Sequence, residues 1–135
     1  MLTKIINLKN ISDERGALVA VEANKDIPFD VKRIYYIYNN KADLRRGFHS
    51  HKKLKQLLIC VSGSCKIHLD DGITTEEVLL DDPSKGLVIE SNIWREMYNF
   101  SKDAVLLVLA SEQYDESDYI RNYDEFINFV KNQEK

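Results

Sequence analysis

Two imidazoles stand one residue apart in Phe48-His49-Ser50-His51, the segment whose residue types and spacing most directly suggest chemistry. In an extended strand, side chains alternate between faces, so His49 and His51 point into one space while Phe48 and Ser50 point away. An imidazole ionises near neutrality, which suits it to proton transfer and to metal ligation. The pair therefore reads as a metal site, an acid–base pair, or two core histidines. Its surroundings are basic. Between Lys41 and Lys55 lie six basic residues (Lys41, Arg45, Arg46, Lys52, Lys53 and Lys55) against one acid, Asp43. Between Ser111 and Glu125 lie six acids and one base, Arg121. The basic run is either a solvated face or a local anion site better suited to a phosphate. Aromatics do not interleave with these bases as they do in single-strand binders, so no nucleic-acid partner is expected.

A metal needs more ligands than two. His49-x-His51, four residues, Gln56, six residues and Gly63 follow the spacing of the first cupin motif, His-x-His-x(3,4)-Glu-x(6)-Gly. The carboxylate position holds Gln56, a neutral amide and a much weaker ligand. Counting from Gly86 by the spacing of the second motif lands on Met97, and no histidine follows His68. A thioether is a poor ligand for ferrous iron or zinc. His68, in Lys66-Ile67-His68-Leu69-Asp70, follows no ligand spacing and reads as surface-facing. No metal and no cofactor are expected. Without a metal, adjacent imidazoles split each other's titration, which keeps one neutral as a base; the core reading stays open beside this one. In Arg33-Ile34-Tyr35-Tyr36-Ile37, Arg33, Tyr35 and Ile37 share a face. A buried Arg33 needs an anion or carboxylate partner. Tyr35 can donate a proton or steady an enolate oxygen, or be an ordinary strand aromatic. Trp94 reads equally as core or ligand platform, and Arg95 adds a base beside it.

The elements that must hold these residues are mostly strands. β-rich runs recur at Ala17–Val21, Val31–Tyr38, Arg46–His51, Gln56–Val61, Cys65–Leu69, Glu76–Leu80, Gly86–Ile89, Glu96–Phe100 and Val105–Ala110. Turn residues separate them, with Asp71-Gly72 the best hairpin signal. A spacing near ten residues predicts an all-β sandwich, jelly roll or barrel. Tyr123, Phe126, Ile127 and Val130 form one helical stripe, preceded by Asp115, Glu116 and Asp118 where a helix dipole favours acids. Residues Asn132–Lys135 are expected to fray. The 135 residues predict one domain, and a formal charge of −3 excludes a molecule that binds polyanions through its net field. No apolar run approaches the roughly 20 residues of a membrane span, and Met1–Asn7 lacks the apolar core of a secretion signal. Cys60 and Cys65 are too few for a disulfide scaffold or a structural zinc site and read as reduced thiols, consistent with a cytoplasmic location.

Several blocks together resemble the sugar 3,4-ketoisomerases that act on dTDP-4-keto-6-deoxyglucose. They are Arg33-Ile34-Tyr35-Tyr36-Ile37, Arg46-Gly47-Phe48-His49-Ser50-His51-Lys52-Lys53-Leu54, Gly63-Ser64-Cys65, Leu69-Asp70-Asp71-Gly72, Leu109-Ala110-Ser111 and Tyr114 through Arg121. The resemblance runs from Ile6 to Phe129. Asp13-Glu14-Arg15-Gly16 is also similar to an element of the related 3,5-epimerases. The resemblance implies a cupin-type jelly roll with a short C-terminal helix, and a homodimer with exchanged N-terminal strands. It implies metal-free transfer of the keto group from C4 to C3 of the hexose through an enediol(ate). By position it implies His49 as base, with His51 and Tyr35 in proton delivery. It places Arg33 and Arg46 near the diphosphate, and Arg15 and Arg95 around the sugar. Members of opposite C4 stereochemistry differ at the last two positions, and this chain takes one residue from each pattern, so galacto and gluco products both stay open. So do three other functions: a 3,5-epimerase, a metal cupin, and a non-catalytic sugar-nucleotide binder.

Overall fold

The computed structural model describes residues 3–41 and 43–133. Twelve strands and one helix follow in order: β1 (Lys4–Asn7), β2 (Asn10–Asp13), β3 (Gly16–Val19), β4 (Arg33–Ile37), β5 (Arg46–His51), β6 (Gln56–Ser62), β7 (Cys65–Asp70), β8 (Thr75–Leu80), β9 (Lys85–Ile89), β10 (Trp94–Tyr98), β11 (Val105–Ala110), β12 (Tyr119–Ile120) and α1 (Tyr123–Gln133). They form two antiparallel five-stranded sheets, β1-β9-β6-β11-β4 and β12-β5-β10-β7-β8, with β2-β3 a separate hairpin. This is the expected jelly roll, as two facing sheets rather than a closed ring.

Alternation explains which residues pack where. Leu58 and Cys60 of β6 face the inter-sheet core with Ile67 and Leu69 of β7 and Leu106 and Val108 of β11. Their neighbours Leu57 and Ile59 face outward, yet Leu8, Ile27 and Phe29 cover them. That is why β6 reads as an unbroken apolar run: the sheet is buried on both faces. On the outer face of the second sheet, Trp94 and Ile120 pack under Phe126 of α1. Trp94 is therefore core, its Nε1 donating to Glu96 at 3.0 Å.

Three local expectations change. The hairpin β7–β8 turns through the four residues 71–74, because Asp71 Oδ1 accepts both the Ile73 and Thr74 amides, and Asp70 pairs with Thr75. Asp115, Glu116 and Asp118 do not lead into α1; they belong to a short 3-10 turn capped by Asp115, and β12 intervenes. The helix continues through Asn132 and Gln133, with Lys131 in its last turn where the helix dipole favours a cation; residues 134 and 135 lie outside the described residues. Among the described residues, no helix is long and apolar enough to cross a membrane.

Candidate active site

His49 owes its orientation to an irregularity. Strand β5 pairs with β10 as Arg95↔His49 and Glu96↔Gly47, so Phe48 is one residue too many and bulges out. Gly47 takes φ +95° and Phe48 φ 55°, and the Phe48 ring is exposed. The bulge turns the Gly47 carbonyl towards the imidazole, 3.0 Å from His49 Nδ1. A carbonyl only accepts, so Nδ1 carries the proton and Nε2 keeps its lone pair. His49 lines a pocket of about 370 Å³ shared with Arg33, Tyr35, Arg46, Tyr119 and Arg121. Burial, then the nearby Arg95 charge, lowers its pKa to about 4. The imidazole is thus a neutral base at physiological pH.

His51 shares the face, as parity requires, but lies one layer deeper. It is fully buried, does not line the pocket and stands edge-on to His49, ring centres 4.9 Å apart. Tyr119 closes over both rings, 5.0 Å from His49 and 4.3 Å from His51. Asp118 Oδ2 sits 3.4 Å from His51 Nδ1 and accepts from the Leu54 amide, while Oδ1 accepts from the Lys53 amide. Among the described residues, neither nitrogen of His51 has a hydrogen-bond partner. Burial, then the Arg95 charge, pushes its pKa down to about 2, with the neighbouring His49 acting in the same direction.

Register brings the opposite wall into place. Tyr35 pairs with the core residue Val108, so Tyr35 faces inward, while Ile34 and Tyr36 are exposed. The Tyr35 phenol accepts a hydrogen bond from Gln56 Nε2 at 3.0 Å, and Gln56 Oε1 accepts from Arg95 Nη1. Arg95 is fully buried, and its Nε and Nη2 donate to the Ile93 carbonyl. Desolvation lowers its pKa to about 10, which still leaves it a cation. Burial also raises the Tyr35 pKa, keeping the phenol protonated. Gln56 is therefore committed at both ends, and a permanent cation lies behind the position a metal would need. With Met97 as the other candidate, the donor set does not fit a metal ion.

Of the expected anion ligands, Arg33 and Arg46 line the pocket. Arg33 Nε and Nη2 are buried without a hydrogen-bond partner among the described residues, a deficit that an anionic ligand would remove. Arg95 lies beneath the pocket. Arg15 departs from expectation: it is on the β2–β3 hairpin, 86% exposed, bonded to Asp13 and apart from this pocket. Among the described residues its hairpin pairs with no other strand, so neither five-stranded sheet carries Arg15 to the pocket. The lysines also turn elsewhere: Lys52 Nζ donates to the Ser117 carbonyl, and Lys53 lines a neighbouring cleft of about 700 Å³ that contains no histidine. That cleft is larger, but the titratable groups converge on the smaller pocket.

Four residues had not been singled out for the site: Gln56, Asp118, Tyr119 and Arg121. Gln56 comes from the start of β6, opposite Ala110 of β11; the other three arrive because the acidic segment folds back on the basic one, with Tyr119 pairing with His51 and Ile120 with Ser50. Arg121 lies over the Tyr119 ring and is bonded to Glu116, whose pKa that contact lowers to about 2. Complementary charge in the two segments was the available signal. His68, as expected, stands away from the site, paired with Glu77.

Comparison with known proteins places this geometry. The family model described as FdtA: WxcM-like, C-terminal, matches residues 1–131. The TDP-4-oxo-6-deoxy-alpha-D-glucose-3,4-oxoisomerase of Aneurinibacillus thermoaerophilus is 53% identical over 130 residues, 96% of this chain and 94% of its own. The sugar 3,4-ketoisomerase QdtA of Thermoanaerobacterium thermosaccharolyticum, solved in complex with TDP, superposes with a TM-score of 0.95 at 51% identity, covering 98% of this chain and 96% of that one. The TDP-quinovose 3,4-ketoisomerase WlaRB of Campylobacter jejuni gives 0.90 at 54% identity, covering 93% and 97%.

Proposed function

The chain belongs to the FdtA (WxcM-like, C-terminal) family, and from that premise we propose that it is a sugar-nucleotide 3,4-ketoisomerase converting dTDP-4-keto-6-deoxyglucose to a dTDP-3-keto-6-deoxyhexose. The observation that carries this reading is the facing pair in the pocket: His49, a neutral base with its Nδ1 tied to Gly47, and Tyr35, a protonated phenol.

The chemistry needs only proton movement. The C3 hydrogen is acidic because C4 is a carbonyl. His49 Nε2 takes it, and an enediolate forms between C3 and C4. The imidazolium returns that proton to the C4 oxygen. Tyr35 delivers its phenol proton to C4 carbon and recovers one from the C3 hydroxyl as the C3 carbonyl forms. Every proton is accounted for, and no electron leaves the sugar. Arg95 and the Gln56 amide donor steady the transient phenolate. His51, buried behind His49, takes part in proton delivery through that ring, with Asp118 beside it.

Arg33 and Arg46, with Arg121 beside them, meet the diphosphate, for which guanidinium forks are suited. Arg15 reaches a sugar pocket only if supplied by a second copy, which supports a homodimer with exchanged N-terminal strands. The exposed Ile11 and Leu18 of the same hairpin favour such a contact. The test is incubation of EDTA-dialysed protein with the 4-keto substrate, followed by NMR. Appearance of a 3-keto sugar supports the proposal. Retention of the 4-keto group with exchange at C3 and C5 indicates a 3,5-epimerase, and tight binding without turnover a binding module.

A further inference from the structure

Gln56 occupies the position that a metal site would give to a carboxylate, and its two ends are chemically distinguishable. We propose that Gln56 is a positioning residue that aims the Tyr35 hydroxyl hydrogen into the pocket, which makes the phenol a proton donor to the substrate rather than to the protein. The inference deepens the ketoisomerase reading and rests on it.

The amide orientation follows from its neighbours. A guanidinium only donates. The Ile93 carbonyl holds Arg95 Nε and Nη2 and directs Nη1 at Gln56. The atom facing Nη1 must therefore be the carbonyl oxygen, which leaves the amide nitrogen facing Tyr35. At 3.0 Å that nitrogen donates, so the phenol oxygen accepts. A hydroxyl that accepts from one side must send its own hydrogen elsewhere. No acceptor for that hydrogen is found among the described residues, and Tyr35 lines the pocket. Gln56 and Arg95 are 2% and 1% exposed, so water does not compete for the arrangement.

A carboxylate at this position reverses the direction. One of its oxygens would take the Arg95 donor, and the other would accept the Tyr35 O–H. The phenol proton would then point into the protein and be lost to the substrate. The change from amide to carboxylate, nearly isosteric, thus separates a proton-donating tyrosine from a silent one. It leaves His49 and the C3 deprotonation step untouched.

The test compares wild type, Gln56→Glu, Tyr35→Phe and the double variant, with TDP affinity, thermal unfolding, turnover and exchange of the C3 hydrogen in D2O each measured. Gln56→Glu is expected to lower kcat by about 10²-fold or more, the scale of a lost general acid. KM, TDP affinity and C3 exchange should stay within about threefold, so that exchange outruns product formation. In the Tyr35→Phe background the same change should have little further effect, since the proton it redirects is gone. Gln56→Met, which offers no donor and only a weak thioether acceptor and covers the case in which the Glu variant does not fold, should fall between wild type and Tyr35→Phe. Wild-type turnover in Gln56→Glu or Gln56→Met, loss of C3 exchange in parallel with product, or a full second loss in the Tyr35→Phe background would overturn the inference. Absence of turnover in the wild type itself would instead remove the ketoisomerase reading, and this inference with it.

Discussion

At the residue scale, the site stores its basicity by burying two imidazoles beside a fixed cation. Their pKa values, about 4 for His49 and about 2 for His51 against an ordinary 6.5, link the site to stability. Between these values and 6.5 the unfolded chain binds protons that the folded chain refuses. Folding stability therefore rises with pH in that window and is lost as pH falls, by about 1.4 kcal/mol per pH unit for each group. Urea unfolding at pH 7 and pH 5 should show this loss, and His49→Gln should reduce it by about one group's share. An identical loss in the variant would contradict the burial of His49. Residue types told much of this in advance: parity put His49 and His51 on one face, and Gln56 and Met97 argued against a metal. What spacing could not tell was depth. Only packing reveals that His49 meets the pocket while His51 lies behind it, or that Gln56 is a link between Arg95 and Tyr35.

At the element scale, β5 does its work through a defect. Gly47 has φ +95°, and a Cβ there would lie 2.9 Å from the Arg95 carbonyl oxygen. Gly47→Ala must strain the backbone and push β5 from β10. The expected result is a stability loss of about 1–3 kcal/mol and a fall in kcat/KM of about 10²-fold from a displaced His49, with TDP affinity less affected. Denaturant midpoints and steady-state kinetics check both. The long strands were legible because β-rich residues, alternating in β7 and continuously apolar in β6, run over six or seven positions between turn residues. The bulge was not, because Phe48 at positive φ contradicts the preference of its own residue type. Strand β12 was not legible either. Two residues carry no period, and Glu116-Ser117-Asp118 resembles the start of a helix. Its existence depends on β5, some seventy residues away in sequence but adjacent in space.

At the scale of the whole molecule, two charge-biased segments and one unpartnered hairpin shape the function. The acidic segment closes over the basic one and delivers Asp118, Tyr119 and Arg121 to the histidines. The hairpin carries Arg15 outward. If a second copy receives it, two defective chains can complement each other. His49→Asn alone should bind TDP without turnover, and Arg15→Ala alone should be impaired. Co-expressed, they should form mixed dimers in which one pocket holds both His49 and Arg15, recovering about a quarter of wild-type activity by random pairing. Activity no greater than the mean of the separate variants would contradict the exchange.

The central claim is that one proton leaves C3, another arrives at C4, and the protein alone moves them. Incubation of EDTA-dialysed enzyme with dTDP-4-keto-6-deoxyglucose in D2O, followed by NMR, tests it most directly. The account predicts a 3-keto-6-deoxyhexose with deuterium at C4, whose ring couplings also report the galacto or gluco configuration. A substrate that keeps its 4-keto group, with no deuterium entering C4, would contradict it.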